Sequence, residues 1–242
     1  MADMEETPRD WRDYEPIQPR GFDWRGFFRK LWAPIVVVVG LFIKFGFAVF
    51  KFFSIFISVA AYALIWGWQF AIGFVALILV HELGHFFEAK RQGLDVSLPV
   101  FVPFLGAYVL IKNSPLNPWR NSLVALAGPA LGGLGAAFCL VLGEGMDSNL
   151  LRALAFAGFL INLINLVPVG ILDGGAIWNA IRLARHSVPA PPGQEFALGS
   201  TYPIAVPGGG RSRAMQIGVL YGLLITLLVL GMIAAHVPQD RL

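Results

Sequence analysis

The sequence predicts an all-α protein with several membrane-spanning helices, and three observations lead to this fold class. Of the 242 residues, 57% are hydrophobic and only 14% are charged, a composition typical of polytopic membrane proteins. Apolar runs long enough to cross a bilayer recur along the chain. Basic residues cluster at the ends of these runs, as membrane topology favours, so the net charge of +3 does not indicate a nucleic-acid partner.

We expect about five transmembrane helices. The stretch from Ala33 to Val80 contains only two charged residues, Lys44 and Lys51, and is too long for one crossing, which needs about 20 residues. The sequence Trp-Gly-Trp-Gln at 66–69 predicts an interfacial turn inside it. Residues 31–50 then form an interfacial helix or, alternatively, a further crossing. The predicted crossings are 51–65, 68–90, 117–142, 150–168 and 214–235.

Two segments do not fit a membrane span. Residues 1–30 mix acids with bases and lack the basic start and apolar run of a secretory signal, so they are predicted to be a polar cytoplasmic tail that is not cleaved. Residues 186–213 are rich in proline and glycine and are predicted to be a loop. Everything after the tail, residues 31–242 including this loop, is predicted to form one membrane-embedded domain.

The segment 94–112 is apolar but is interrupted by two prolines and a glycine. Its valine, phenylalanine and tyrosine content favours a short membrane-associated β-hairpin or re-entrant segment over a helix. Non-helical backbone at membrane depth persists only where protein or a water-filled cavity covers it. We therefore expect this segment to line a functional site, with Tyr108 and Val109 as candidate substrate-binding residues. The alternative is an interfacial loop whose side chains dip into lipid.

The strongest chemical signal is the sequence His-Glu-Leu-Gly-His at 81–85, which follows eleven uncharged residues. Positions i and i+4 share one helix face, so His81 and His85 can bind one metal ion, while Glu82 points to the flank and can act as a general base. The five-residue pattern also occurs by chance on solvated helices. Here the preceding apolar run argues against a solvated face, and ionisable groups at membrane depth are functional by default.

Asp173 is the second candidate for metal binding. It directly follows a helix break at Pro168 and Gly170 and is itself followed by two glycines. An aspartate at membrane depth requires a partner, which a metal ion would supply. An aspartate after such a break is also a common helix N-cap. The residues alone leave both interpretations open.

Three motifs in this order resemble the site-2 protease family. They are His-Glu-Leu-Gly-His at the end of an apolar helix, Gly128-Pro129 in the next crossing, and Asn-Leu-Val-Pro-Val-Gly-Ile-Leu-Asp-Gly at 165–174. The resemblance covers about residues 60–185, which we take as the catalytic core. It implies a core of three transmembrane helices.

The resemblance also implies a zinc site and an activity. It implies one zinc ion per chain held by His81, His85 and Asp173, with Glu82 as catalytic acid and base and Asn165 in the substrate cleft. The implied function is intramembrane proteolysis, the hydrolysis of peptide bonds in or near transmembrane segments of a protein substrate. Many members carry a PDZ or CBS domain, and no segment here is long enough for either. The substrate gate or tether that those domains provide would then be absent or supplied by a separate regulatory or adaptor protein.

Two other functions use the same polar residues. A transporter could employ intramembrane His, Glu and Asp as a proton or metal relay. Transporters typically show paired broken helices, whereas this sequence shows one such break, near Pro168. A non-catalytic scaffold that binds helices is the other alternative, although it has no need for Glu82.

The distribution of basic residues predicts the orientation. Placing the Lys90 end inside puts nearly all basic residues of the loops on the cytoplasmic side, together with the N-terminus. His81 then lies about 14 residues, or about 21 Å, from the outer turn, so the site is nearer the cytoplasmic face. We expect a multi-pass protein of the cell inner membrane.

Overall fold

The protein is mostly helical, as the sequence predicts. The computed structural model describes residues 24–104, 106–112, 117–189 and 204–236. Within these residues there are six helices: α1 (Trp24–Trp66), α2 (Trp68–Arg91), α3 (Pro118–Gly145), α4 (Asn149–Asn165), α5 (Asp173–Arg185) and α6 (Arg211–Ala234). The chain divides into two compact units, 1–47 and 48–242. The described part of the first unit is helical, and the rest of the described chain belongs to the second unit.

Three of the described helices, α2, α3 and α6, are long and apolar enough to cross a membrane. Two further apolar helical stretches, the part of α1 at Phe53–Trp66 and α4, are shorter than a full crossing of about 20 residues. The expectation of a membrane protein therefore agrees with the helix lengths, while the count of five crossings stays a prediction.

The first helix differs from the prediction. α1 begins at Trp24, inside the predicted tail 1–30, and it has no end near residue 50. The charged residues at its start are lysine and arginine, which are good helix formers, so their charge does not mark a helix end. Residues 1–23 of the predicted tail lie outside the described residues.

Local sequence explains two helix boundaries. Gly67 separates α1 from α2 with a φ of 80°, a left-handed conformation that glycine adopts without strain, and this confirms the predicted turn. At the start of α3 the Asn117 side chain accepts a hydrogen bond from the Arg120 amide, and Pro118 occupies the first helical position. Both features are typical of helix N-termini.

Small residues bring α2 and α3 into close contact next to the site. A Cβ on Gly84 would lie 2.3 Å from the Ala127 carbonyl oxygen, so only glycine allows this approach of the two backbones. On α4, a Cβ on Gly158 would lie 2.9 Å from the Ala136 Cβ. Close approach through small residues is the usual way in which helices pack in lipid. The His-Glu-Leu-Gly-His end of α2 is thereby fixed against α3.

The described residues of the segment 94–112 are non-helical, as predicted. It contains four short strands: β1 (Asp95–Val96), β2 (Val100–Val102), β3 (Gly106–Tyr108) and β4 (Ile111–Lys112). β1 pairs antiparallel with β4, and β2 pairs antiparallel with β3. Its association with the membrane stays a prediction.

The region predicted as a loop, 186–213, contains regular structure. β5 (Ser187–Pro189) pairs in parallel with β6 (Ile204–Val206), and α6 begins at Arg211, three residues before the predicted crossing. Strands of three residues are too short to leave an alternating pattern in a sequence, so the proline and glycine content dominated the prediction. Residues 190–203 of this region lie outside the described residues.

Candidate metal centre

α2 carries three buried polar side chains at its C-terminal half. His81, Glu82 and His85 have exposed fractions of 5%, 6% and 9%. The two imidazole rings lie on one face of the helix, with their centroids 4.9 Å apart. The predicted spacing thus produces the predicted local arrangement.

Two hydrogen bonds determine which ring nitrogens face the centre. His81 Nδ1 donates to Asn162 Oδ1 at 2.7 Å, and His85 Nδ1 donates to the Val124 carbonyl oxygen at 2.8 Å. The Asn162 amide nitrogen donates to the Gly158 carbonyl oxygen at 2.7 Å, and this leaves Oδ1 as the acceptor for His81. Because each Nδ1 donates to one of these acceptors, both Nε2 atoms are left to face the same point, as in metal-bound histidines.

Asp173 completes the group from α5. It is the first helical residue, the cap position belongs to Leu172, and no side-chain cap hydrogen bond forms. The Asp173 carboxylate oxygens instead lie 3.2 Å from His81 Nε2 and 3.2 Å from His85 Nε2. The interpretation of Asp173 as an N-cap is therefore wrong, because its side chain faces the histidines and not its own helix.

The three side chains fit a metal ion. Their donor atoms all lie within 4.8 Å of one another, and the two Nε2 atoms are 3.1 Å apart. Nitrogen and oxygen ligands at about 2.0–2.2 Å from a tetrahedral zinc ion are about 3.4 Å from each other, which is close to these separations. Asp173 Oδ2 is buried and has no hydrogen-bond partner among the described residues, so a cation would satisfy it.

A cavity of about 510 Å³ opens onto this group. The three metal-binding candidates and Glu82 form part of its wall. The segment 106–112 and helices α3 and α5 supply most of the rest. The structure also places the predicted substrate-binding residues there, and their role stays a prediction: Asn165, Tyr108 and Val109.

Sequence reasoning did not assign a role to Asn162 or to two further asparagines of the cavity wall. Asn162 is 1% exposed and orients His81, as partners of metal-bound histidines commonly do. Its position as a polar residue inside an apolar helix was a usable signal, but its partner lies 81 residues away. Asn121 and Asn179 line the cavity without any motif around them.

Two glycines of α3 make room for the centre. A Cβ on Gly128 would lie 2.2 Å from His85 Nε2, the atom that faces the metal position. A Cβ on Gly132 would lie 2.3 Å from Asn162 Oδ1, the acceptor that orients His81. The glycine of the Gly128-Pro129 motif therefore has a direct steric reason, because a side chain there would meet the His85 ring.

Gly128→Ala is expected to lower zinc occupancy because the added methyl group displaces the His85 ring. Loss of ligand orientation typically costs about 10–100-fold in metal affinity. Zinc per chain is measured on purified protein, with Gly145→Ala as the control, since a Cβ there meets nothing within 4 Å. Equal zinc affinity in the two variants would contradict the assignment of His85 Nε2 as a ligand.

The class of protein follows from this site. It has a candidate metal centre made of two histidines from α2, which is long enough to span a membrane, and one aspartate from the shorter α5, with a buried glutamate beside them. Residues 69–149 match the sequence profile of peptidase family M50. The resemblance to site-2 proteases is thereby confirmed, and the chain is related to the zinc metalloproteases of family M50. Asp173 lies beyond the matched residues and is placed at the centre by the structure.

The relatives that this chain matches are named as zinc metalloproteases. The chain is 28% identical over 130 residues to the zinc metalloprotease MJ0392 of Methanocaldococcus jannaschii, covering 52% of this chain and 37% of that protein. It is 33% identical over 146 residues to the "Probable zinc metalloprotease EGY2, chloroplastic" of Oryza sativa subsp. japonica, covering 42% of this chain and 27% of that protein. In this chain His81, His85 and Asp173 lie close enough together to bind a metal ion, as the predicted zinc cofactor requires.

These relatives are much longer proteins. The chain is 33% identical over 147 residues to the EGY2 protein of Arabidopsis thaliana. The alignment covers 42% of this chain and 26% of that protein. The matched part of the chain therefore spans between 26% and 37% of the length of these relatives. No solved structure gives a significant match.

Proposed function

We propose that the chain is an intramembrane zinc endopeptidase that hydrolyses peptide bonds in or near transmembrane segments. The observation that carries this proposal is the convergence of His81, His85 and Asp173 beside the buried Glu82 in one cavity. Three protein ligands leave a fourth position for water or substrate, the arrangement of catalytic zinc sites. The test is cleavage of a co-expressed transmembrane substrate by the wild-type chain.

Each residue of the site has a distinct part in hydrolysis. Zinc, when bound, polarises the scissile carbonyl and lowers the pKa of water. Glu82 takes a proton from the attacking water, whose oxygen forms the new bond to the carbonyl carbon. As the carbon–nitrogen bond breaks, Glu82 returns that proton to the leaving amine. Asn162 and the Val124 carbonyl hold the two imidazoles in their orientation throughout.

The segment 106–112 supports binding of an extended substrate. Tyr108 is paired with Val100, and the Leu110 carbonyl accepts from the Ser97 amide, so the backbones of Tyr108 and Leu110 face β1 and β2. Successive residues of a strand direct their backbone groups to alternate edges, so Val109 faces the other edge. Val109 also lines the cavity of the metal centre. A substrate unwound into a strand can therefore pair along this edge.

Val109→Pro is expected to reduce cleavage strongly because it removes the amide donor at the centre of this edge. Zinc content is expected to stay at the wild-type level, since Val109 is not a ligand. Val109→Ala shortens the side chain but keeps the amide, and serves as the control. Cleavage of a transmembrane substrate at equal rates by Val109→Pro and wild type would contradict pairing at this edge.

The polar centre also bears on the two alternative functions, a transporter and a non-catalytic scaffold. A transporter is less well supported, because a 2-His-1-Asp set with a separate buried carboxylate is a hydrolytic arrangement. A scaffold leaves the buried Glu82 unexplained.

The inner-membrane location and the cytoplasmic N-terminus remain proposals. Reporter fusions test the orientation and should place Asp147 outside and Arg91 inside.

A further inference from the structure

One contact ties α1 to the hairpin that borders the metal centre. The Phe101 amide of β2 donates to the Ser54 hydroxyl of α1 at 3.2 Å. Both residues are 2% exposed. A buried backbone amide without an acceptor is costly, so this hydrogen bond constrains where β2 can lie.

The direction of this amide follows from the strand register. Phe101 is opposite Ala107, but its amide is used by Ser54, so these two residues form a non-hydrogen-bonded pair of the ladder. In such a pair the backbone groups of both residues point away from the partner strand. The backbone groups of Phe101 therefore point to α1. Those of Ala107 point to the opposite edge of the hairpin, and Ala107 lines the cavity.

Farther along α1, Tyr62 makes a second contact with the same hairpin. Its ring meets the ring of Phe104 edge to face, with centroids 5.5 Å apart. Phe104 lies in the turn between β2 and β3 and has a φ of 63°, which is uncommon for a bulky residue. α1 thus contacts β2 and the turn of the hairpin. This side of the hairpin lies away from the edge of 106–112 at which we propose that the substrate pairs.

From this geometry we propose that Ser54 is a positioning residue for the substrate. By accepting from the Phe101 amide, it fixes the hairpin so that the outer edge of 106–112 faces the metal centre. Ser54 is not among the residues that line the cavity, and its hydrogen bond to Phe101 links it to the hairpin, so it acts through the hairpin. The inference rests on the proposed peptidase function and adds a structural role for α1 in substrate binding.

A matched pair of variants tests the hydroxyl. Threonine and valine have nearly the same shape and branching, so Ser54→Thr and Ser54→Val differ mainly in the presence of the hydroxyl that accepts from the Phe101 amide. The measurements are zinc per chain, unfolding temperature, and separate kcat and KM values for a purified transmembrane substrate. Ser58→Ala is the control one turn away, since Ser58 is 1% exposed and its hydroxyl has no hydrogen-bond partner among the described residues.

The expected result is that Ser54→Val has a KM roughly five- to thirtyfold higher than Ser54→Thr, with similar kcat, the effect of one unmet buried hydrogen bond. Zinc content should be equal in all variants, and Ser58→Ala should match wild type. Equal KM values for the Val and Thr variants, or an equal loss in Ser58→Ala, would overturn the positioning role while leaving the peptidase intact. If wild type and Ser54→Thr cleave nothing, the proposed function fails, and this inference fails with it.

Discussion

Glu82→Gln protein is expected to lose cleavage of a transmembrane substrate by about 10²- to 10⁴-fold, the usual contribution of a general acid–base group. Glutamine keeps the size and hydrogen-bonding capacity of the side chain but cannot take the proton from water. Glu82 is 6% exposed and lines the cavity, whereas the ligand atoms converge from His81, His85 and Asp173. Zinc content and folding are therefore expected to survive, and uncleaved substrate should accumulate.

The measurement is kcat for a purified or co-expressed substrate together with zinc per chain. Glu144→Gln is the matched control, because Glu144 is exposed and pairs with Arg152 away from the centre. The same variant separates the alternatives. A transporter would show no proteolysis even in the wild type, and a scaffold would function equally with either residue. Cleavage by Glu82→Gln at the wild-type rate would show that Glu82 is not the base.

Asp173→Ala is expected to release most of the zinc, because it removes the carboxylate that faces both imidazoles at 3.2 Å. Loss of a residue that only orients a ligand costs about 10–100-fold in metal affinity, and removal of the ligand itself should cost more. The double variant His81→Ala/His85→Ala should empty the site. Zinc per chain and affinity are measured after dialysis against a competing chelator.

Asp147→Ala controls for the removal of an acidic residue, since Asp147 is exposed and pairs with Arg152. Asp173→Asn adds a second comparison, because it keeps the shape of the side chain but removes its charge. Weaker zinc binding in both Asp173 variants, with wild-type binding in the control, is the expected pattern. Full zinc occupancy in Asp173→Ala would mean that the third ligand is another residue.

The local part of the centre could be predicted from the sequence. His81 and His85 are four residues apart on one helix, so helical geometry alone brings them to the same face. The preceding apolar run indicated burial, which the structure shows. The non-helical segment 94–112 was likewise readable from its prolines and its valine and aromatic content.

The long-range part could not be predicted from the residues alone. Asp173 has the same local surroundings whether it caps α5 or binds a metal, and only the packing of α5 and α2 against α3 separates the two. Asn162 was recognisable as a polar residue in an apolar helix, but its partner His81 lies on another helix. The start of α1 at Trp24 was missed because charge was taken as a boundary, although lysine and arginine are compatible with helix.

Removal and return of the metal tests the central claim most directly. Purified wild-type chain is stripped with a zinc chelator, assayed with a transmembrane substrate, and assayed again after one equivalent of zinc is added. The proposed peptidase should stop cleaving when zinc is removed and recover when zinc returns, while His81→Ala/His85→Ala protein should not recover. Cleavage that persists in the stripped wild-type protein, or that zinc restores equally in the double variant, would contradict a zinc peptidase centred on α2 and α5.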